Sequence, residues 1–283
     1  MKMIKLTMVI SIFAVKSSFS QFEYTDIGAR ATGLNGAFTS LADNSLAVFY
    51  NPSGLGQMKY REVSAFYGPS PFGLPEVSTA ALTYAEPLSF GTAGLGLKSF
   101  GFELYRETNL ILSFGNSYGD KIFYGFNLNF YNLNIQNYSS ASAFGADIGG
   151  LAYMTDYLRW GIFVNNITGS KIGVSGQRIA QVYKTGFTIH PRDDVNLILE
   201  IEKDVNYPLS FRSGLEYFIN DYFDIRAGLG TEPAAFSGGA GINYNVFRID
   251  YSAYIHQELG LSNQISVTID FGGNKSGNGS KEN

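Results

Sequence analysis

The sequence predicts an all-β protein: a transmembrane, antiparallel, up-and-down β-barrel of about 14 strands, with an N-terminal plug segment that contains a short helix and lies in the lumen. Three observations predict it. The first residues have the layout of an export signal. Aromatic residues make up 15% of the chain and charged residues only 16%, against roughly 25% charged residues in ordinary globular proteins. From residue 61 onward, apolar and polar residues alternate with the two-residue period of a two-faced strand.

The export signal occupies residues 1–20. Two lysines form a positively charged start, residues 6–15 are apolar, and Ser18-Phe19-Ser20 is a small-x-small cleavage site. The apolar stretch is too short to span a bilayer, so the layout is that of a cleaved bacterial signal peptide. An amphipathic helix retained in the cytosol is the alternative.

Composition excludes several classes of site. The chain has no cysteine, which excludes a disulfide framework, a thiolate metal site, a cysteine nucleophile and a lipoprotein anchor. The net charge is −4 and no basic cluster is present, so nucleic acid is not an expected partner. Many aromatic residues and glycines with little charge are typical of an outer-membrane barrel, whose outer face meets lipid. A secreted β-sandwich is the competing fold.

The alternation defines the strands. In the last run, Ile265, Val267 and Ile269 share one face, and Ser266 and Thr268 share the other. Runs of about ten residues have the length that a tilted strand needs to cross an outer membrane, and an even number allows closure without exposed edges. The predicted strands are residues 61–68, 76–86, 91–101, 107–116, 120–133, 140–154, 157–166, 180–189, 193–203, 208–219, 221–230, 235–244, 246–256 and 263–271.

The segment in front of the strands has a different character. Residues 28–56 are too polar and broken for a membrane-spanning helix and too irregular for a strand. Irregular backbone at membrane depth is tolerated only where protein or water surrounds it, which favours the lumen over a surface loop. Asp43 and Asn44 are expected to cap a short helix, which Pro52 ends with a turn at Asn51.

The chain is therefore expected to have four parts. They are a signal peptide (1–20), a plug segment (21–60), the barrel (61–271) and a flexible tail (272–283).

The side chains that carry chemistry give no enzyme signature. His190 and His256 lack metal-ligand spacing, and a G-x-S-x-G nucleophile frame is absent. No catalytic residue, metal site or cofactor is expected, and we do not expect an enzyme. Glu200 and Glu202 share a strand face. One interpretation is a catalytic acid/base pair. We favour the other, in which they belong to a charge-balanced inner wall. This lumen charge ladder is predicted to consist of Glu200, Glu202, Arg212, Glu216, Asp224, Arg226, Arg248 and Asp250.

Glycines recur within the strands, for example Gly94 with Gly96 and Gly238 with Gly239. Their spacing does not complete a G-x-G-x-x-G nucleotide loop, and no helix pattern follows. We expect these glycines to permit curvature of the sheet.

Four short motifs follow the export signal in a fixed order. They are Gly28-Ala29-Arg30-Ala31, Gly36-Ala37-Phe38, Ala42-Asp43-Asn44 and Asn51-Pro52-Ser53-Gly54. In this order they resemble the N-terminal signature of the FadL-type outer-membrane barrels, and above all the PorV/PorQ-like branch in Bacteroidetes. The chain departs from that signature at Asn35, Asn44 and Ser53. Stretches at 146–153, 159–166, 213–230 and 249–273 resemble later parts of the family. The plug motif carried over consists of Gly28, Ala29, Arg30, Gly33, Gly36, Asp43, Asn51 and Pro52.

The resemblance implies a fourteen-stranded barrel in the cell outer membrane, surrounded by outer-membrane lipid. PorV-like members assist type IX secretion, so an accessory role in protein transport, with secretion-system components or secreted cargo as partners, is the first hypothesis. FadL members pass hydrophobic small molecules inward, and this alternative requires an apolar pocket that faces the lumen. A soluble secreted β protein is the third hypothesis. The fold alone does not choose between these functions.

Overall fold

The computed structural model describes residues 22–173 and 176–272. The predicted signal peptide, and the predicted tail beyond Gly272, lie outside the described residues. In the described ranges, fourteen strands form one closed antiparallel barrel, which confirms the predicted fold class. No helix in the same ranges is long and apolar enough to cross a membrane.

Each predicted run corresponds to one barrel strand, and only the strand ends differ, by a few residues. The barrel closes where the first strand pairs with the last, with Glu62 opposite Asp270. β8 and β9, of two residues each, form a hairpin in the connection between β7 and β10. This hairpin does not join the barrel. The strands are β1 (Glu62–Gly68), β2 (Thr79–Leu88), β3 (Gly91–Gly101), β4 (Tyr105–Tyr118), β5 (Ile122–Ile135), β6 (Ser139–Thr155), β7 (Leu158–Asn165), β8 (Lys171–Ile172), β9 (Gln177–Arg178), β10 (Val182–Arg192), β11 (Val195–Asp204), β12 (Ser210–Phe218), β13 (Phe223–Thr231), β14 (Ala234–Tyr244), β15 (Phe247–His256) and β16 (Gly260–Asp270).

The two faces of the wall differ as the alternation predicts. On β16, Ile265 is 45% exposed on the outer face, whereas Ser266 is 2% exposed on the inner face. The outer face carries Leu, Ile, Val, Phe and Tyr around the whole barrel. Aromatic side chains also stand exposed at or beside most of the short turns, namely Phe90, Tyr118, Tyr157, Tyr222, Tyr244 and Phe271. An apolar band bordered by aromatic residues is the outer surface of a lipid-embedded barrel.

The two ends of the barrel differ in the length of their connections. At one end the chain makes long connections, including residues 69–78, 166–181 and 205–209. Residues 69–78 contain two short 3₁₀ helices, Pro71–Gly73 and Pro75–Val77. At the other end the connections are short, the longest being residues 219–222. We call these the long-loop end and the short-turn end.

The apolar core of the protein lies inside the barrel and belongs mostly to the plug segment, which is described from Phe22 to Tyr60. This segment forms two short helices, α1 (Ala29–Gly33) and α2 (Ala47–Tyr50), and a 3₁₀ helix over Pro52–Gln57. Wall residues such as Phe66 and Ile198 pack against this core. The larger apolar side chains that the plug segment contributes to this core are Ile27, Leu34, Phe38, Leu41, Leu46, Val48, Tyr50 and Leu55.

Glycines in the wall make room for this core. A Cβ atom at Gly125 would collide with the backbone of Pro52 and Ser53. At Gly94 and Gly96 a Cβ atom would meet side chains of the plug segment, including that of Val48. Gly94 and Gly96, which are expected to permit curvature of the sheet, thus also let the plug segment approach the wall.

Gly125→Val is expected to lower the free energy of unfolding by about 1–3 kcal/mol, because overpacking forces the wall and the plug segment apart. Gly238→Val is the matched control, since a Cβ atom there has only one ordinary contact, 3.7 Å from the Arg226 carbonyl oxygen. Urea-induced unfolding in detergent measures both. Equal losses in the two variants would show that Gly125 is not a packing position.

Candidate functional site

The lumen brings the predicted charge ladder together as two groups, each completed by residues of the plug segment. The first ion cluster lies toward the long-loop end. In it, Arg212 pairs with Glu202 at 2.8 Å and with Asp26 of the plug segment at 2.7 Å. Lys184 lies 2.6 Å from Glu202 and 3.4 Å from Glu200. All five side chains are largely buried, so their charges depend on one another.

The plug segment covers the first ion cluster with aromatic rings and a backbone donor. The Lys184 ammonium lies 4.3 Å from the ring centroid of Tyr24 and 5.6 Å from that of Tyr50. The backbone N–H of Thr39 donates to Glu200 at 2.9 Å. Burial, together with the nearby Asp26 carboxylate, raises the pKa of both tyrosine hydroxyls well above its ordinary value. The tyrosines are therefore neutral partners of the ammonium at every physiological pH.

The second ion cluster lies toward the short-turn end and centres on Glu216, which is fully buried. Its Oε1 accepts hydrogen bonds from Arg30 and Arg226, both at 2.8 Å. The wall continues the cluster without the plug segment. Arg226 pairs with Asp224 and Asp250, and Arg248 lies 3.0 Å from each of the same two carboxylates.

Arg30 joins the plug segment to the second ion cluster. Its guanidinium binds Glu216 on one side and Asp43 on the other, with 2.5 Å between Nη1 and Oδ1 of Asp43. Burial raises the pKa of Asp43, but the charge and hydrogen bonds of Arg30 outweigh it and hold that pKa below its ordinary value. Asp43 is thus an ion-pair partner, and the expectation that it caps the following helix is wrong. Asn44 does not cap the helix either, since its Oδ1 accepts from the N–H of Leu46, the residue before the helix, at 3.2 Å, and α2 has no side-chain cap.

The other plug motif residues fix the backbone of the segment against the wall. Gly28 and Gly36 have positive φ angles of 95° and 73°, which glycine adopts without strain. The N–H of Ala29 donates to Ser266, and the carbonyl of Gly33 accepts from Ser237.

Asn51 is fully buried and is a fixed point. Its Nδ2 donates to the carbonyls of Thr39 and Gly150, and its Oδ1 accepts from Ser53. Pro52 follows it as the first residue of the 3₁₀ helix. A turn held by this many contacts is a rigid joint.

A partly enclosed cavity lies between the plug segment and the wall near the long-loop end, with about 40 Å³ of space open to the centre of a water molecule. Its lining is mixed, with apolar, aromatic and polar side chains side by side. The plug segment contributes Phe22, Glu23, Tyr24, Thr25, Ile27, Val48 and Phe49, the wall contributes Lys98, Asn109, Ile111, Asn129, Tyr131, Asp147 and Asn165, and the connection between β9 and β10 contributes Ile179. These residues share no local motif, so the cavity was not predicted from the sequence.

Ile172 and Ile179, from the described parts of the connection between β7 and β10, pack against the wall next to this cavity. Phe22 packs with Tyr131, Leu133, Ile172 and Ile179 in a second apolar cluster. The connection is held by Asp147, whose Oδ1 accepts from the N–H of Asn166 at 2.8 Å. Apolar side chains from the connection and from the start of the described chain therefore pack together beside the cavity.

Arg30→Met is expected to lower the free energy of unfolding by roughly 3–5 kcal/mol, because it leaves Asp43 and Glu216 short of a buried partner. The matched control is Arg192→Met. Its ion pair with Asp194 is exposed, so the loss should stay within about 0.5 kcal/mol. Urea titrations in detergent provide both values, and a comparable loss in the two variants would contradict a structural role for Arg30.

Comparison with known proteins shows similarity in structure only. No protein-family model matches the chain, and no curated protein matches it in sequence. Three solved structures resemble it over nearly their whole length. The CymD monoaromatic hydrocarbon channel has a TM-score of 0.66 at 13% identity, over 88% of this chain and 98% of the other. The toluene transporter TodX of P. putida has a TM-score of 0.66 at 11% identity, over 88% and 99%.

A FadL homologue of Pseudomonas aeruginosa has a TM-score of 0.64 at 13% identity, over 87% of this chain and 99% of the other. At this level of identity the likeness establishes the fold. The chain thus has the closed fourteen-strand barrel of FadL-type structures.

Proposed function

We propose that this protein is an outer-membrane barrel of the FadL type that admits small hydrophobic molecules to the cell. The apolar outer face and the aromatic residues at the turns suit a barrel embedded in lipid. Short turns face the periplasm in such barrels and longer loops face outward, so the long-loop end is assigned to the cell exterior.

The observation that carries the proposal is the cavity near the long-loop end. It lies on the exterior side of the plug segment, and more than half of its lining is apolar or aromatic. Ligand pockets combine apolar lining with a few polar groups and measure about 300–1,000 Å³, so this cavity has the mixed lining of an entry site and must widen to pass a molecule such as toluene. The names of the similar structures, which include a toluene transporter and a monoaromatic hydrocarbon channel, agree with this class of solute.

Passage requires the plug segment to move, because its buried core fills the lumen below the cavity. The ion clusters make such a movement feasible. Glu216 keeps Arg226, and Glu202 keeps Lys184 and Arg212, when the plug segment leaves. Asp26 then separates from Arg212, and Arg30 separates from Glu216 while it keeps Asp43. These three side chains of the plug segment meet water as the lumen opens.

A disulfide between the plug segment and the wall tests the movement. Ser40 Oγ and Thr188 Oγ1 lie 2.8 Å apart, and the native chain has no cysteine to interfere. We expect Ser40→Cys with Thr188→Cys to stop uptake of radiolabelled toluene by intact cells under oxidation, and a reductant to restore it. Intact cells are needed because a simple lipid bilayer passes toluene without a channel.

The matched control places the same bond within the wall. Ser64 Oγ and Thr268 Oγ1 also lie 2.8 Å apart, on the strands that close the barrel. Ser64→Cys with Thr268→Cys should leave uptake unchanged in both redox states. Uptake that continues with the plug segment locked would rule out passage through the lumen.

A secretion accessory of the PorV/PorQ type is the second candidate. It rests on the sequence motifs of the plug segment and on the filled lumen, because a docking platform needs no passage. This function predicts that deletion of the gene blocks release of secreted cargo while toluene uptake stays at its wild-type rate. The proteins of the culture medium are measured in the mutant, and normal release of cargo would eliminate this candidate.

A further inference from the structure

We propose that the cavity beside Lys98 binds a small neutral molecule that carries one hydroxyl group on an apolar body, of the size of a short alcohol or a single-ring phenol. The inference rests on the proposed function, because this cavity is the one that would receive an entering solute. It goes further in assigning a polar group to a solute that would otherwise be described only as hydrophobic.

The wall presents a donor and an acceptor side by side. Lys98 and Asn109 are directly opposite each other on β3 and β4, both line the cavity, and their exposures are only 9% and 8%. Among the described residues, the Lys98 ammonium has one hydrogen-bond acceptor, Thr25 Oγ1 at 3.2 Å, although it carries three protons. Asn109 donates to Asn129 at 3.3 Å, but its Oδ1 has no donor within the described part of the chain.

A hydroxyl group satisfies both side chains at once. It accepts a hydrogen bond from the Lys98 ammonium and donates one to Asn109 Oδ1. Lys98 and Asn109 are opposite each other in the register of β3 and β4 and line the same cavity, so one bound hydroxyl group has both side chains as neighbours. A pure hydrocarbon leaves both groups buried without these bonds, which costs about 1–3 kcal/mol for each unsatisfied group.

The surrounding charge selects a neutral molecule over an anion. Glu23 and Asp147 also line the cavity, and Glu107 is near enough to interact electrostatically with Lys98. One ammonium group and three carboxyl groups thus lie in or near the lining of the cavity. A carboxylate ligand would gain one attraction at Lys98 and meet several repulsions at short range, where the surroundings exclude most water.

The size of the cavity sets the size of the molecule. The centre of a water molecule needs about 10–15 Å³, so a space of about 40 Å³ holds about three waters. Three waters occupy about 90 Å³ in the liquid, whereas a closed cavity that holds benzene measures about 150 Å³, so the ring of a phenol must extend through the open side of this partly enclosed cavity. The part of the apolar body inside the cavity would contact Tyr24, Ile27, Phe49 and Ile111, which line the same space.

Three fluorinated probes that share a benzene ring test the inference. They are 4-fluorophenol, fluorobenzene and 4-fluorobenzoate, added to the protein in lipid nanodiscs at pH 7 and followed by fluorine NMR, with empty nanodiscs as the reference for partitioning into lipid. One net hydrogen bond predicts that the phenol binds roughly fivefold more tightly than fluorobenzene. The benzoate should bind more weakly than the phenol.

Two variants assign the preference to the wall pair. Asn109→Leu and Lys98→Met should each remove the fivefold preference for the phenol, because each takes away one partner of the hydroxyl and one buried polar group that fluorobenzene leaves unpaired. Asn116→Leu is the control, since Asn116 lies on the same strand with its side chain bonded outside the cavity, to the carbonyl of Phe90. Folding of each variant is verified by gel electrophoresis, in which the heated protein migrates more slowly than the unheated barrel. If one variant fails to fold, the result for the other variant decides.

The outcomes separate this inference from the proposed function. Equal affinities for the phenol and fluorobenzene, a preference that survives in the folded variants, or tightest binding of the benzoate would each overturn it. If the preference appears as predicted but cells expressing the protein take up neither compound faster, the binding site is supported and the channel function fails. If uptake is accelerated without any preference in binding, the channel stands and the hydroxyl site is overturned.

Discussion

The ion pair between Arg30 and Glu216 is the contact on which the two parts of the molecule depend. Glu216 has no solvent exposure and shares its carboxylate between Arg30 from the plug segment and Arg226 from the wall. An unpaired charge at this depth costs several kcal/mol. Because Arg30 also binds Asp43, the same guanidinium fixes the conformation of the plug segment and its position in the barrel. The wall and the plug segment therefore stabilise each other.

A second constraint explains why the core lies in such a short segment. A barrel of fourteen strands encloses more space than its own inward side chains fill. In this chain those side chains are largely small or polar, so they supply hydrogen-bond partners and leave room. The plug segment supplies the apolar volume, and glycines such as Gly125 allow its backbone to touch the wall. Most large apolar residues of the wall lie on its outer face, which explains why the alternation is so regular.

That regularity made the barrel predictable from sequence, since the alternation within each strand shows which residues belong to which face. Contacts between the side chains of two strands were harder to predict, even for neighbouring strands. Lys184 was not recognised as the partner of Glu202, because their pairing depends on the register of β10 with β11. The expected helix cap at Asp43 failed for a related reason. The short-range rule holds for an isolated helix, and here a buried arginine thirteen residues earlier in the chain competes for the carboxylate and wins.

Residues 24–26 show how the cavity and the ion clusters are linked. Tyr24 lies over the Lys184 ammonium, Thr25 accepts from Lys98, and Asp26 pairs with Arg212. Three consecutive residues of the plug segment thus contact three basic residues of the wall. A molecule whose hydroxyl binds Lys98 uses one of the ammonium protons that Thr25 leaves free, next to the residue that lies between the two that anchor the segment to the first ion cluster. A ligand shifts a conformational equilibrium only by its difference in affinity for the two states. Here the wall half of the cavity, with Lys98 and Asn109, remains in place when the plug segment withdraws, so the difference depends on the contacts that the ligand makes with Tyr24 and Ile27 of the plug segment.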